Sequence, residues 1–173
     1  MRDLFTIDLK DYDGLSELYV RPSSRAIIIK DGKVALVYSK KYGYYKFPGG
    51  GIKENEDHIV ALVREVKEEV GLIVKKDSIK EFGSVLRIQK SPSNLIFYQE
   101  NFYYLCDVLD EVSKQDLDEY EQEEGFLLVY ENPIVAAKNN YGLKLDKFYQ
   151  TMIERDAKVL ELLVNEGKIK LWN

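Results

Sequence analysis

The sequence predicts an α/β or α+β layered domain, and three observations carry that prediction. Segments rich in β-formers and segments of helical period follow one another in the order strands, helix, strands, helix. At 173 residues the chain is long enough to bury a core without disulfides. Its make-up, 45% hydrophobic and 32% charged, is that of a packed, water-soluble protein, because a disordered chain lacks the apolar residues to offset its conformational entropy. One domain is expected over residues 1–173, with residues 1–22 an added strand segment.

Taken in order, Arg25 to Lys30 (RAIIIK) and Lys33 to Tyr38 (KVALVY) are β-rich runs joined across Asp31-Gly32, a strong hairpin signal. Gly43 to Phe47 reads as a brief strand, and Pro48-Gly49-Gly50-Gly51 as a loop where regular structure breaks. From Asp57 to Val70, Ile59, Leu62, Val63, Val66 and Val70 recur every three or four residues, the spacing that gathers them on one helix face. Asp57 suits the N-cap and Gly71 the C-terminal stop. Ser84 to Gln89 and Ile96 to Val108 are predicted strands separated by the turn-rich Lys90 to Asn94. An acidic stretch from Asp110 to Gly125 leads to a strand at Phe126 to Tyr130, then a short helix at Pro133 to Lys138. A long amphipathic helix closes the chain at about 143–166, with its pattern running from Lys144 to Asn165.

Composition excludes several chemistries. The single cysteine, Cys106, forms no internal disulfide, and the single histidine, His58, builds no multi-histidine zinc site. Any metal is therefore expected on carboxylates. A net charge of -5 disfavours non-specific binding to nucleic acid or to an anionic membrane. With no membrane-span-length apolar run and no basic-then-apolar leader in MRDLFTIDLKDYDG, the expected location is the cytoplasm.

The informative segment is Gly50 to Leu72, GGIKENEDHIVALVREVKEEVGL. On a helix, Glu65, Glu68 and Glu69 fall within one arc beside the apolar stripe. Like charges at these spacings repel, so the arrangement is costly unless a positive group sits among them. A hard divalent cation held by oxygen atoms meets that need, and Mg²⁺ commonly combines a few carboxylates with substrate phosphates. Arg64, four residues before Glu68, can steer a carboxylate by hydrogen bonding. A solvated acidic face is the alternative.

The spacing around those acids decides between the two. The segment resembles the signature of the Nudix hydrolases, G-x5-E-x7-R-E-U-x-E-E-x-G-U with U aliphatic. Gly50, Glu56, Arg64, Glu65, Val66, Glu68, Glu69, Gly71 and Leu72 fill every specified position. The preceding Phe47-Pro48-Gly49-Gly50 is similar to the family's usual entry into its loop-helix-loop, and Asp57 stands where Ser or Thr is common. The resemblance implies an α/β/α sandwich around a mixed sheet. It also implies Mg²⁺- or Mn²⁺-dependent hydrolysis of a nucleoside diphosphate linked to another group, such as a nucleotide sugar, an ADP-ribose-like compound or a nucleoside triphosphate. Glu65, Glu68 and Glu69 become the expected metal ligands, with Glu68, Glu69 and Arg64 in the catalytic set and Glu56 fixing the loop or acting through water.

Family members often recruit a further acid from outside the signature, and of Glu121, Glu123 and Glu124 the expected one is Glu124. Arg25, Lys46, Gly49, Gly50 and Tyr44 are expected to meet the substrate: cations and close-approaching backbone for phosphates, and an aromatic ring for a base. Arg87, Tyr98 and Tyr103 are further candidates. A small-molecule nucleotide is the expected partner, with a homodimer left open. The competing reading is a nucleotide-sensing module of the same fold without turnover, against which stands the completeness of the acid set.

Overall fold

The computed structural model describes residues 1–169; the last four residues of the expected domain, 170–173, lie outside the described residues. Two N-terminal strands, β1 (Asp3–Asp8) and β2 (Leu18–Val20), precede β3 (Ser23–Ile27), β4 (Ile29–Lys30), β5 (Lys33–Ser39), β6 (Tyr45–Lys46) and β7 (Gly49–Gly51). Helix α1 (His58–Val70) and strand β8 (Leu72–Val74) follow, then β9 (Lys80–Lys90), β10 (Ile96–Leu105) and β11 (Val108–Val112). Helix α2 (Glu119–Glu124), strand β12 (Phe126–Glu131) and helices α3 (Pro133–Gly142) and α4 (Lys147–Asn165) come last.

The larger sheet has the order β1-β9-β10-β3-β7, with β2 beside the first residues of β10. It is mixed: β1 runs parallel to β9 and β3 parallel to β10, whereas β9–β10 and β3–β7 are antiparallel. A second sheet has the order β12-β5-β4, with β6 also on β5, and β8 pairs with β11. The side-chain alternation of the strands feeds two cores. Ala26, Ala35, Val37 and Tyr104 pack with Leu62, Val66 and Val70 of α1, while Ile27, Val34, Leu36 and Tyr103 pack with Ala136 of α3 and Leu160 and Leu163 of α4. That division gives the sandwich, and each large aliphatic side chain so buried contributes about 1.5–3 kcal/mol.

Helix α1 is stopped by local chemistry at both ends. The Asp57 carboxylate accepts from the backbone N–H groups of Ile59 and Val60, and Gly71 takes a left-handed conformation (φ 71°) from which its N–H reaches the Lys67 carbonyl. Several boundaries differ from expectation: β9 begins earlier, at Lys80, β10 ends at Leu105 and α3 runs on to Gly142. The run Arg25 to Lys30 is divided at Ile28: because Ala26, Ile27 and Ile28 are all buried, it serves both cores and passes from one sheet to the other. The expected loop at Pro48 to Gly51 contains a strand, β7, paired with β3. The acidic stretch contains β11 and α2, and α4 begins at Lys147 because Asp146 caps it through Phe148 N and Tyr149 N.

Candidate active site

The guanidinium of Arg64 organises one side of α1. Its Nε and Nη2 donate to the two Glu56 oxygens, each at 2.8 Å, a bidentate pair that ties the loop before the helix to its middle. Nη1 donates to Glu65 Oε1 at 2.6 Å and to Glu68 Oε2 at 3.0 Å, and Nη2 also reaches the Gly51 carbonyl at 3.2 Å. Arg64 is thus the positive group that the clustered acids require. These hydrogen bonds hold the Glu56 carboxyl down at about 2. The Glu65 carboxyl is shifted upward, because burial outweighs its contact with Arg64.

Glu69 turns the other way. It is 1% exposed, paired with the Lys46 ammonium, and its second oxygen accepts the Gly49 N–H at 2.8 Å. Lys46 in turn lies 4.4 Å from the centre of the Phe126 ring. Helix α1 and β7 approach so closely that side chains on the glycines collide with their neighbours. A Cβ on Gly49, where φ is 133°, sits 2.1 Å from the Ser24 carbonyl oxygen, and one on Gly50 sits 2.1 Å from Glu65 Oε2. The two positions therefore behave differently when substituted. Gly49→Ala is expected to cost more than about 1 kcal/mol of stability, because fixed backbone and a positive φ both oppose it. Gly50→Ala meets only the end of a side chain that can swing, so its unfolding midpoint stays closer to wild type while Glu65 is displaced. Parallel denaturant titrations of the two variants check this order.

A second acidic element reaches the cleft through backbone chemistry. The last carbonyls of a helix lack intrahelical partners, and here the segment after β11 supplies them: Asp116 N donates to the Glu68 carbonyl, Ser113 N to that of Gly71, and Gln115 Nε2 to that of Glu69. This docking delivers α2. Glu121 accepts from Asp118 N at 2.9 Å and from the Tyr120 hydroxyl at 3.0 Å, and with Glu65, Glu68 and Glu69 it lines a cleft of about 460 Å³. Burial first, and the Glu69 charge second, shift the Glu121 carboxyl upward, with Lys46 opposing.

The NUDIX domain family model matches residues 20–139, more than half of the chain. The protein belongs to the NUDIX domain family. Among its relatives, the RNA pyrophosphohydrolase of Pasteurella multocida is 36% identical over 90 residues, covering 51% of this chain and 42% of that protein. The ADP-ribose pyrophosphatase of Methanocaldococcus jannaschii is 40% identical over 77 residues, covering 42% of this chain and 43% of that protein. The chain thus spans about two fifths of the length of these curated relatives. A NUDIX hydrolase from Nitrosomonas europaea shares the fold, with a TM-score of 0.55 at 19% identity over 87% of this chain and 92% of that one.

Whether this NUDIX cleft suits a divalent cation is decided by its donors. Glu65, Glu68, Glu69 and Glu121 offer only carboxylate oxygens, the atoms hard cations take, and their charges exceed those of Arg64 and Lys46. Among the described residues no three Asp, Glu, His or Cys side chains converge on one point: Glu65 and Glu68 are turned toward Arg64, Glu69 toward Lys46 and the Gly49 N–H, and Glu121 toward Asp118 N and the Tyr120 hydroxyl. The donor set therefore fits in kind and number, with side-chain rotation needed to close on an ion.

Glu124, expected as the outlying acid of the NUDIX site, faces a neighbouring cavity instead. Its oxygens accept from the hydroxyls of Tyr44 at 2.6 Å, Tyr149 at 3.0 Å and Ser39 at 3.1 Å. Glu123 is exposed to solvent. Of the three acids named as candidates, Glu121 and not the preferred Glu124 lines the carboxylate cleft, and the sequence signal that favours it is Asp118 three residues earlier, a spacing typical of a helix start. Arg25, whose guanidinium donates to the Gly49 carbonyl, also lines the neighbouring cavity, as do Lys46, Gly49, Gly50 and Tyr44. Tyr103 is enclosed with its hydroxyl on Asp156, and Tyr98 lies along a separate cleft near Asp3, so neither is placed to stack on a base at this site. Cys106 is buried, which pushes its thiol up to about 12 and leaves it no nucleophile. No helix among the described residues is long and apolar enough to cross a membrane.

Proposed function

We propose that the protein is a divalent-metal-dependent pyrophosphohydrolase acting on a nucleoside diphosphate linked to another group. The observation that carries this reading is the cleft in which Glu65, Glu68, Glu69 and Glu121 meet beside the glycine strand β7. Four carboxylates cannot hold a diphosphate directly, so a cation must neutralise both partners. Glu65, Glu68 and Glu69 would hold Mg²⁺ or Mn²⁺, which when bound supplies charge neutralisation at the phosphoryl oxygens. Arg64 aims Glu65 and Glu68, and Glu56 fixes Arg64. The space that a Cβ on Gly50 would fill is taken by the Glu65 carboxylate, which packs directly against the β7 backbone. In this reading Glu121, which lines the same cleft and whose carboxyl is shifted upward by burial, would receive a proton from the attacking water. Glu124 supports the site by anchoring Tyr44 and Tyr149.

The test is a panel of nucleotide sugars, ADP-ribose, nucleoside triphosphates and 5′-triphosphorylated RNA with Mg²⁺ or Mn²⁺, read for the phosphorus bond that breaks. Cleavage of a diphosphate bond that ceases in chelator is the expected result. Nucleotide binding with no product at high enzyme and Mg²⁺ would replace this reading with a sensing module.

A further inference from the structure

Beside the carboxylate cleft, and sharing Arg21 and Gly51 with it, lies a cavity of about 330 Å³, within the size range of small-molecule sites. Three buried arginines line it: Arg25 at 7% exposure, Arg87 at 3% and Arg155 at 0%. Arg155 is neutralised by Asp156 at 2.8 Å and donates to Asn101 Oδ1 at 2.6 Å. Arg25 and Arg87 have no described carboxylate within ion-pair distance. Buried nitrogens also lack any hydrogen-bond partner among the described residues: Nε of Arg25, Nε and Nη1 of Arg87, and Nη2 of Arg155.

Arg87 is the most exceptional of the three. Its guanidinium lies beside the rings of Phe97 and Phe148, 4.8 and 4.9 Å from their centres, which are themselves 4.9 Å apart. Such aromatic contacts supply no hydrogen-bond acceptor in the guanidinium plane and leave its N–H donors free. Burial, then the charges of Arg155 and Arg25, disfavour the protonated form. A guanidinium nonetheless keeps its proton at neutral pH, so the unmatched charge calls for an anion. The one carboxylate lining the cavity that bears on this balance, Glu124, is covered by three hydroxyls. A buried cation of this kind is costly to a folded protein unless a ligand repays it.

We propose that the cavity of Arg25, Arg87 and Arg155 binds a phosphomonoester on the part of the substrate that extends past β7, away from the carboxylate cleft. The preferred substrate then carries a phosphate group in addition to the diphosphate that is cleaved. This rests on the pyrophosphohydrolase reading for the substrate's role, whereas the binding site itself does not. The aromatic walls accommodate a small carbon skeleton, and the paired donors of a guanidinium match a phosphate better than a neutral hydroxyl.

Calorimetric titration of the whole chain in excess chelator tests the site without cation or turnover, using ribose 5-phosphate, ribose, gluconate and inorganic phosphate as probes. Ribose 5-phosphate is expected to bind at least about tenfold more tightly than ribose or gluconate. Arg87→Met, which keeps an unbranched side chain against the two rings, is expected to weaken that binding by about tenfold or more, the scale of one lost charge-assisted contact. Arg25→Gln acts in the same direction, and Lys76→Met, which removes an exposed charge elsewhere, changes nothing. Without ligand, Arg87→Met is expected to raise Tm by about 2–4 °C, because it removes a buried charge that no protein group answers. Equal binding by wild type and Arg87→Met, preference for gluconate, no binding of ribose 5-phosphate, or a lowered Tm in Arg87→Met would each overturn the assignment. Inactivity toward the nucleotide panel with this binding intact would instead reject the hydrolase reading alone.

Discussion

Replacing Glu68 by Gln is expected to lower kcat/KM for Mg²⁺-dependent hydrolysis by about 10²-fold or more while leaving the fold intact. The two halves of that expectation have separate physical sources. Glu68 has a 40% exposed side chain, and its one ion pair is the (i, i+4) contact to Arg64, a type worth about 0.3–0.5 kcal/mol. Removing its charge also relieves repulsion from Glu65 on the same arc, so the unfolding free energy should stay within about 0.5 kcal/mol of wild type. In the proposed mechanism the same oxygen donates to the cation that neutralises a diphosphate. A few kcal/mol of transition-state stabilisation lost there corresponds to a hundredfold or more in rate. Steady-state kinetics across an Mg²⁺ titration, with thermal unfolding of the same preparations, separates the two. Wild-type turnover in the variant would remove Glu68 from the metal site.

The parts of this fold that can be read from residues alone are those whose determinants are local. Helix α1 follows from the period of Ile59, Leu62, Val63, Val66 and Val70 and from its two caps, all within fifteen residues of one another, and its observed limits agree closely. The same register places Arg64, Glu65 and Glu68 together. Other features depend on contacts remote in sequence. Three consecutive glycines have no strand propensity; Gly49–Gly51 nonetheless pair with β3, and at Gly49 only a residue without a Cβ fits that close to the Ser24 backbone. The approach of Glu121 to the box rests on groups of residues 113–116 meeting the open carbonyls at the end of α1, partners up to 48 residues apart. Likewise the sequence offers Arg87 only as a candidate cation on a strand, and it is the packing of β10 and α4 that buries it against Phe97 and Phe148.

Tertiary context also changes what is expected of Glu69, which shares the helix arc of Glu68 but not its surroundings. Glu69→Gln is expected to cost about 3–5 kcal/mol of stability, a large part of the roughly 5–15 kcal/mol that holds a domain folded. The glutamine oxygen can still accept the Gly49 N–H, so the backbone contact survives; what disappears is the counter-charge of Lys46, itself 6% exposed. An uncompensated ammonium then remains between α1 and Phe126, and the ring face alone returns only about 2 kcal/mol. Coupling distinguishes this cause from loss of shape. If the penalty is the stranded charge, Lys46→Met added to Glu69→Gln should recover most of the loss, because the double variant buries no unpaired ion. Denaturant unfolding of the two single variants and the double variant closes the cycle, and strictly additive losses would refute a charge-based coupling. Cation binding enters the same balance: a divalent ion that draws on Glu69 must compete with Lys46, so the stability that this pair supplies and the affinity for the ion are in opposition at a single carboxylate.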